Sequence, residues 1–202
     1  MKKMNFRMMA AILFCGTVLM TSCSGSANAD KAAEDTVAVE ADQRGDKLMD
    51  AIDRYLTDSI GSLYTQGDVC IPLIAMTCSD GMKGDSIFMW GDFWVYNYKV
   101  VGDTLKTVSG GNHSGKMLLK SDENGEFQVT SFEQVEDGSG NLESAKRIFG
   151  EYYDAYHAAN SDEQYREKAR AISIADYVKA HNLPVKYYQD FGWPAVELKF
   201  EE

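Results

Sequence analysis

Asp92 stands inside the densest aromatic stretch of the chain, Ile87–Val101. At the two-residue period of a strand, Phe88, Trp90, Trp94, Tyr96 and Tyr98 share one face with it. A carboxylate among rings is costly unless it is paired or solvated. Two arrangements answer that cost. In one, the rings wall a pocket and stack on a ligand that Asp92 anchors by hydrogen bonds. In the other, the rings fill a core and Gly91 marks a bulge that turns Asp92 out to water; filling a core is the commoner fate of such a stripe. A strand returning after Gly102-Asp103 would set Ser109 beside Tyr96, and a glycine-rich connection carrying Asn112 and His113 would cap one end of the face. The candidate ligand-binding set is therefore Trp90, Asp92, Trp94, Tyr96, Ser109, Asn112 and His113. With a second acid such as Asp137, Asp92 would instead suit hydrolysis of glycan or cell-wall material, which needs two carboxyls about 5 to 9.5 Å apart.

Other chemistry is thinner. Gly110-Gly111-Asn112-His113-Ser114-Gly115-Lys116 matches G-x-x-x-x-G-K, but Met117 stands where a magnesium-binding Ser or Thr belongs, and no helix follows to present its amides to phosphate. The bland reading is a connection between two strands, Thr104–Ser109 and Lys116–Lys120. His113, His157 and His181 are scattered, and Asp154-x-x-His157 is half of a carboxylate-helix metal motif without its second copy. No G-x-S-x-G is present. Cys70 and Cys78 lie in one apolar run that would raise their pKa. On a straight strand they would share a face about 26 Å apart, too far for a disulfide unless the chain turns around Pro72–Ala75, so two buried thiols are slightly favoured over a bridge. Tyr187–Pro194 is dense in rings that either pack over the sheet or line a surface suited to carbohydrate or peptide. No catalytic residue, metal ligand or cofactor is assigned.

The elements that must position these residues follow from periodicity. Asp46–Tyr64 reads as an amphipathic helix through Leu48, Ile52, Tyr55, Leu56, Ser59 and Leu63. Val69–Cys78 and Ile87–Val101 read as strands. Gly102-Asp103 suits a type II′ turn, pairing Val100 with Leu105, Tyr98 with Thr107, Tyr96 with Ser109 and Lys99 with Lys106. Asn124-Gly125 marks another hairpin, before a strand over 126–135. Leu142–Ala159 is helical, and Ser161-Asp162-Glu163-Gln164 is a capping box opening a helix to about Ala180. Val196–Phe200 would add an edge strand. The order implies an α+β fold: an N-terminal helix on a curved antiparallel sheet of about five strands, then two C-terminal helices. Helix across curved sheet looks like the cystatin-like or nuclear-transport-factor-like architecture.

The first residues set an address. Lys2, Lys3 and Arg7 precede the apolar stretch Met8–Met20, too short to cross a bilayer of about 30 Å. Leu19-Met20-Thr21-Ser22-Cys23 resembles a bacterial lipoprotein signal, with Met20 a departure from the usual aliphatic. The resemblance implies cleavage after residue 22, lipidation of Cys23 and attachment of the chain to membrane by two or three acyl chains. The competing reading is a plain signal cut near Ala27 or Ala29. Residues 23–44 then form an acidic tether with a reach of roughly 25 Å, and 45–202 form one globular domain. Ser24-Gly25-Ser26-Ala27, in place of acidic residues, favours the periplasmic face of the outer membrane over the cell surface. Trp90-Gly91-Asp92-Phe93-Trp94, Ser109-Gly110-Gly111 and Gln189-Asp190-Phe191-Gly192-Trp193 give a general resemblance to small lipoproteins secreted by gut bacteria; it brings no activity with it.

The chain carries 20 Lys+Arg against 31 Asp+Glu, a net charge of −11, and loss of the basic signal makes it more acidic still. Such a surface repels phosphate backbones, which excludes nucleic acid as a partner. The expectation is a lipid-anchored protein of the cell envelope, acting as a non-enzymatic binding module for a small molecule, glycan or peptide. The alternatives are the paired-acid hydrolase and a structural lipoprotein whose acidic surface meets a basic partner.

Overall fold

The computed structural model describes residues 43–200. The signal 1–22, the lipidation of Cys23 and most of the tether lie outside the described residues. Gln43 and Arg44, assigned to the tether, belong to the first helix (α1, 43–63). Its buried stripe is Leu48, Ala51, Ile52, Leu56 and Ile60. A π turn over Leu56–Ile60 and a 3-10 turn over Gly61–Leu63 end it. The wide turn carries the stripe away from Ser59 and Leu63, so Leu63 is 84 % exposed instead of inward-facing. Gly61 lets the helix end meet the sheet closely: a Cβ there would lie 2.7 Å from Cys70 Sγ. The buried Asn97 amide donates to Gly61 O at 3.2 Å.

The sheet has four long strands, β1 Val69–Ser79, β2 Ser86–Val101, β3 Thr104–Ser121 and β4 Phe127–Gln134. Two short ones, β5 Tyr187–Gln189 and β6 Val196–Glu197, complete it. The order is β1-β2-β3-β5-β6, with β4 also on β3. All pairings are antiparallel except β3 with β5, so the sheet is mixed. Around Gly102 (φ 63) the Val100–Leu105, Tyr98–Thr107 and Lys99–Lys106 pairs stand as expected. Val108 is then an extra residue, and Ser109 opposes Asn97, not Tyr96. Because strand faces alternate, that one-residue slip sends Ser109 to the opposite face. The glycine stretch is strand, not connection: β3 runs unbroken through Gly110–Gly115. The hairpin at 122–126 places only Gly125 (φ 73) at positive φ, with Asp122 Oδ1 accepting from the Asn124 and Glu126 amides.

One face of the sheet packs on α1 through Ile87, Met89, Phe93, Val95, Met117 and Leu119. The other is covered by three helices: α2 Asn141–Phe149, α3 Tyr153–Ser161 and α4 Glu163–Ala180. Gly150 (φ 52) and a 3-10 turn break the first of the two expected C-terminal helices into α2 and α3. The cap of α4 is Asp162, whose carboxylate accepts from the Tyr165 amide, one residue beyond Ser161, which ends α3. Ile174, Ala175 and Val178 of α4 pack with Ile71, Tyr98, Leu105 and Tyr188. Ala145, Ile148, Phe149 and Tyr156 pack with Trp90. The fold is thus α+β in three layers, with one more helical layer than a single helix across a sheet provides.

Candidate functional site

The aromatic face of β2 lies under α2–α4 and is filled. Trp94 and Asp92 are 4 % and 5 % exposed. Trp90 donates from Nε1 to Ile148 O at 2.9 Å and meets the Tyr152 ring at 5.4 Å. The Arg166 guanidinium lies over the Trp94 ring at 4.9 Å. Gly91 makes no bulge in β2; it is glycine because a Cβ would lie 2.7 Å from Ala75 O. The irregularity sits opposite, in β1 between Met76 and Cys78. Asp92 therefore stays buried and is satisfied there. Trp94 Nε1 donates to one carboxylate oxygen at 2.5 Å and Ser114 Oγ to the other at 2.8 Å.

The expected set divides between the two faces. Trp90, Asp92, Trp94 and Tyr96 share the helix face with Asn112, whose Oδ1 accepts from Tyr96 OH at 2.8 Å. Ser109 and His113 lie on the α1 face. Ser109 Oγ donates to Thr65 O at 2.6 Å, and His113 sits between Tyr64 OH (3.1 Å from Nε2) and Gln134 Oε1 (3.0 Å from Nδ1). A cavity of about 30 Å³ lies at the face among Asp92, Trp94, Tyr156, Asn160 and Arg166. That is room for a water or two, not for a ligand of several hundred Å³. Arg166 Nε, buried and without a partner, borders it.

Burial pushes the Asp92 carboxyl above its ordinary range; the bonds from Trp94 and Ser114, and the charges of Arg166 and His113, pull the other way. Asp92 is the one carboxylate among the residues lining that cavity, so the paired-acid reading finds no second acid in its wall. Folded chain holds this proton more tightly than unfolded chain. The stability it contributes is full below the ordinary carboxylate range and is lost as pH rises through the folded-state value. Urea midpoints between pH 4 and 8 should fall with rising pH in the wild type and fall less in Asp92→Asn, which keeps the shape without the charge; parallel profiles would refute this assignment. Asp92→Ala, which orphans two buried donors, should cost about 2 kcal/mol.

The G-x-x-x-x-G-K segment forms no phosphate cradle. Lys116 pairs with Glu133 at 3.1 Å, and Gly115 is glycine because a Cβ would strike the β4 backbone. The thiols also differ from expectation: the irregularity before Cys78 puts it opposite Trp90 on the helix face, while Cys70 faces Gly61. Both are free, and burial raises both, Cys78 to about 12. No cluster of metal-binding side chains occurs among the described residues.

A second charged cluster centres on Arg170, which the sequence reading did not single out, and gathers Tyr96, Tyr98 and Asp190, which it did. Arg170 makes a bidentate pair with Asp190, Nη1–Oδ2 at 2.6 Å and Nη2–Oδ1 at 2.7 Å. It also donates to Tyr98 OH at 3.0 Å and lies over the Tyr96 ring at 4.2 Å. Arg166, Arg170, Ile174 and Val178 recur every four residues on α4, an inward stripe that the helical period could have exposed. Thr107 Oγ1 donates to Asp190 at 2.5 Å. This cluster fixes the turn that follows: Trp193 N donates to Asp190 O and Gln189 Nε2 to Trp193 O, with Gly192 at φ 80. From that held turn Phe191 and Trp193 stand out, 96 % and 72 % exposed, while Tyr188 is buried. The ring-rich segment thus divides between core and surface.

No protein-family model, curated protein or solved structure matches this chain.

Proposed function

We propose that this chain is a lipid-anchored binding module of the cell envelope, attached through Cys23, and that it engages its ligand on the surface around Phe191 and Trp193. The observation that carries the reading is the pair of rings held out on a turn fastened by a part-buried ion pair. Large apolar side chains presented in a fixed geometry are unusual on a monomer and are the material of binding hot spots. Covering each ring is worth about 1.5–3 kcal/mol. The filled aromatic face moves the proposal away from a small molecule at Trp90, Asp92 and Trp94 and toward a peptide or glycan at the surface.

The test is a random peptide library and a glycan array, each screened with wild type, Phe191→Ala and Trp193→Ala. Each variant should weaken binding about tenfold or more while leaving the urea midpoint within about 0.5 kcal/mol of wild type. Unchanged binding by both would sink the reading. Acylation at Cys23 has its own test: mass spectrometry of the purified N-terminal peptide, with and without Cys23→Ser.

A further inference from the structure

One edge of β3 is interrupted. β5 pairs with it at Thr104–Lys106 and β4 at Gly115–Ser121. Among the described residues no strand pairs with that edge between them. Ser114 O accepts from Val135 N on this side. By the period of two, Asn112 and Gly110 turn their amides and carbonyls the same way. The gap of about six or seven residues is roughly 20 Å long. The turn bearing Phe191 and Trp193 closes one end through the Thr107–Asp190 bond, beside the exposed Val108. Gln134 and Val135, where β4 leaves, close the other.

Resting on the binding-module reading, we propose that this slot accepts an extended peptide segment of a partner protein as an added strand, with an apolar residue of that segment covered by Phe191 and Trp193. Open backbone donors and acceptors supply the affinity of such an addition, and flanking side chains its selectivity. The slot's shape decides against other occupants. Its floor is recessed by one strand width, about 4.8 Å, between β5 and β4. The same edge on a second copy is recessed equally, so two copies cannot bring these edges together. The chain's own N-terminal segment starts at the far end of α1, where Lys47 pairs with Glu126 at 2.6 Å. The opposite end of α1 adjoins the slot through Tyr64 and His113, about 30 Å away. In 24–42, the part of that segment that follows the proposed lipidated Cys23, the large apolar residues Val37 and Val39 precede Gln43 by at most six residues, about 20 Å of extended chain.

The experiment uses the full chain and a random octapeptide library on phage. The selected peptide is then synthesised and titrated by fluorescence anisotropy, with a scan in which each backbone amide is methylated in turn. Methylation at alternate residues should weaken binding about tenfold or more and leave the residues between nearly unaffected. Asn112→Pro removes an outward amide that no strand of the fold uses, as edge strands tolerate, and should abolish binding. Asn112→Ala keeps the amide and should bind within about threefold of wild type. Loss without the alternation, or binding indifferent to Asn112→Pro, overturns strand addition even if Trp193→Ala still weakens it. Because the methylation scan modifies only the peptide, a misfolded Asn112→Pro does not spare the proposal. Selection of no peptide, with glycans or zwitterionic vesicles bound through Trp193, overturns strand addition and leaves the binding-module reading standing. Binding of none of these probes overturns both.

Discussion

Asp190→Ala should destabilise the folded domain by about 2–3 kcal/mol, the cost of removing the partner of a charged group in a part-buried pair and less than for a fully buried one. The abandoned group is the Arg170 guanidinium, whose side chain is 14 % exposed; Asp190 is 34 % exposed. That difference sets an order. Arg170→Met keeps the aliphatic stem and leaves behind a carboxylate that water can reach, so it should cost less than Asp190→Ala. Replacing both, Arg170→Met with Asp190→Leu, should recover much of the loss, because neither charge is then buried alone. Against a total stability of about 5–15 kcal/mol for a natural domain, the single change is a large fraction. Denaturant titration of these proteins, with Asp190→Leu alone added to close the cycle, gives the coupling. A loss under about 1 kcal/mol for Asp190→Ala would show that water compensates the guanidinium. The same variant should loosen the Phe191–Trp193 turn, since it also removes the carboxylate that accepts from Thr107 Oγ1, leaving only the main-chain bond from Trp193 N to the residue 190 carbonyl.

This ion pair also illustrates what local sequence hides. Arg170 and Asp190 are twenty residues apart, on α4 and beyond β5. Nothing local to Gln189-Asp190-Phe191-Gly192-Trp193 marks which of its residues turn inward. The stripe 166, 170, 174, 178 was legible on α4, but two arginines on it read as a solvated face unless aromatic partners are known. What could be read reliably had a strong period: α1, β1, β2 and the first hairpin, with its Val100–Leu105 and Tyr98–Thr107 pairs. What failed turned on single inserted residues. Val108 moved Ser109 to the α1 face, and the irregularity before Cys78 parted the two thiols. Either insertion reverses every side chain beyond it, yet neither Val108 nor the residues before Cys78 carry a turn signal. The aromatic stripe itself was read correctly as one face. Its being filled was decided by helices more than fifty residues further on, through contacts such as Trp90 to Ile148.

Gly110→Ala should be the most damaging of the glycine substitutions tested within β3, at about 4 kcal/mol. Gly110 sits at φ 144, a region closed to side chains, and a Cβ there would press on the Val95 carbonyl and lie 2.7 Å from Tyr96 Cα. Backbone strain of about 1–3 kcal/mol and overpacking of similar size act together, since neither strand can retreat without breaking its ladder. Gly111→Ala is the control. Its Cβ meets only the end of a side chain, Tyr64 OH at 2.7 Å. Displacing that hydroxyl costs the bond to His113, about 1 kcal/mol. Urea titration should separate the two by several kcal/mol; equal losses would mean that β3 tolerates a side chain at 110 by leaving β2. The contrast accounts for a stretch that composition alone reads as a loop. Glycine at 110 allows a bulged strand to rejoin its partner one residue later, and glycine at 115 lets β4 come close on the other edge. Between those two positions the strand keeps an edge that no described strand pairs, so the residues that imitate a phosphate loop are those that hold the proposed slot open.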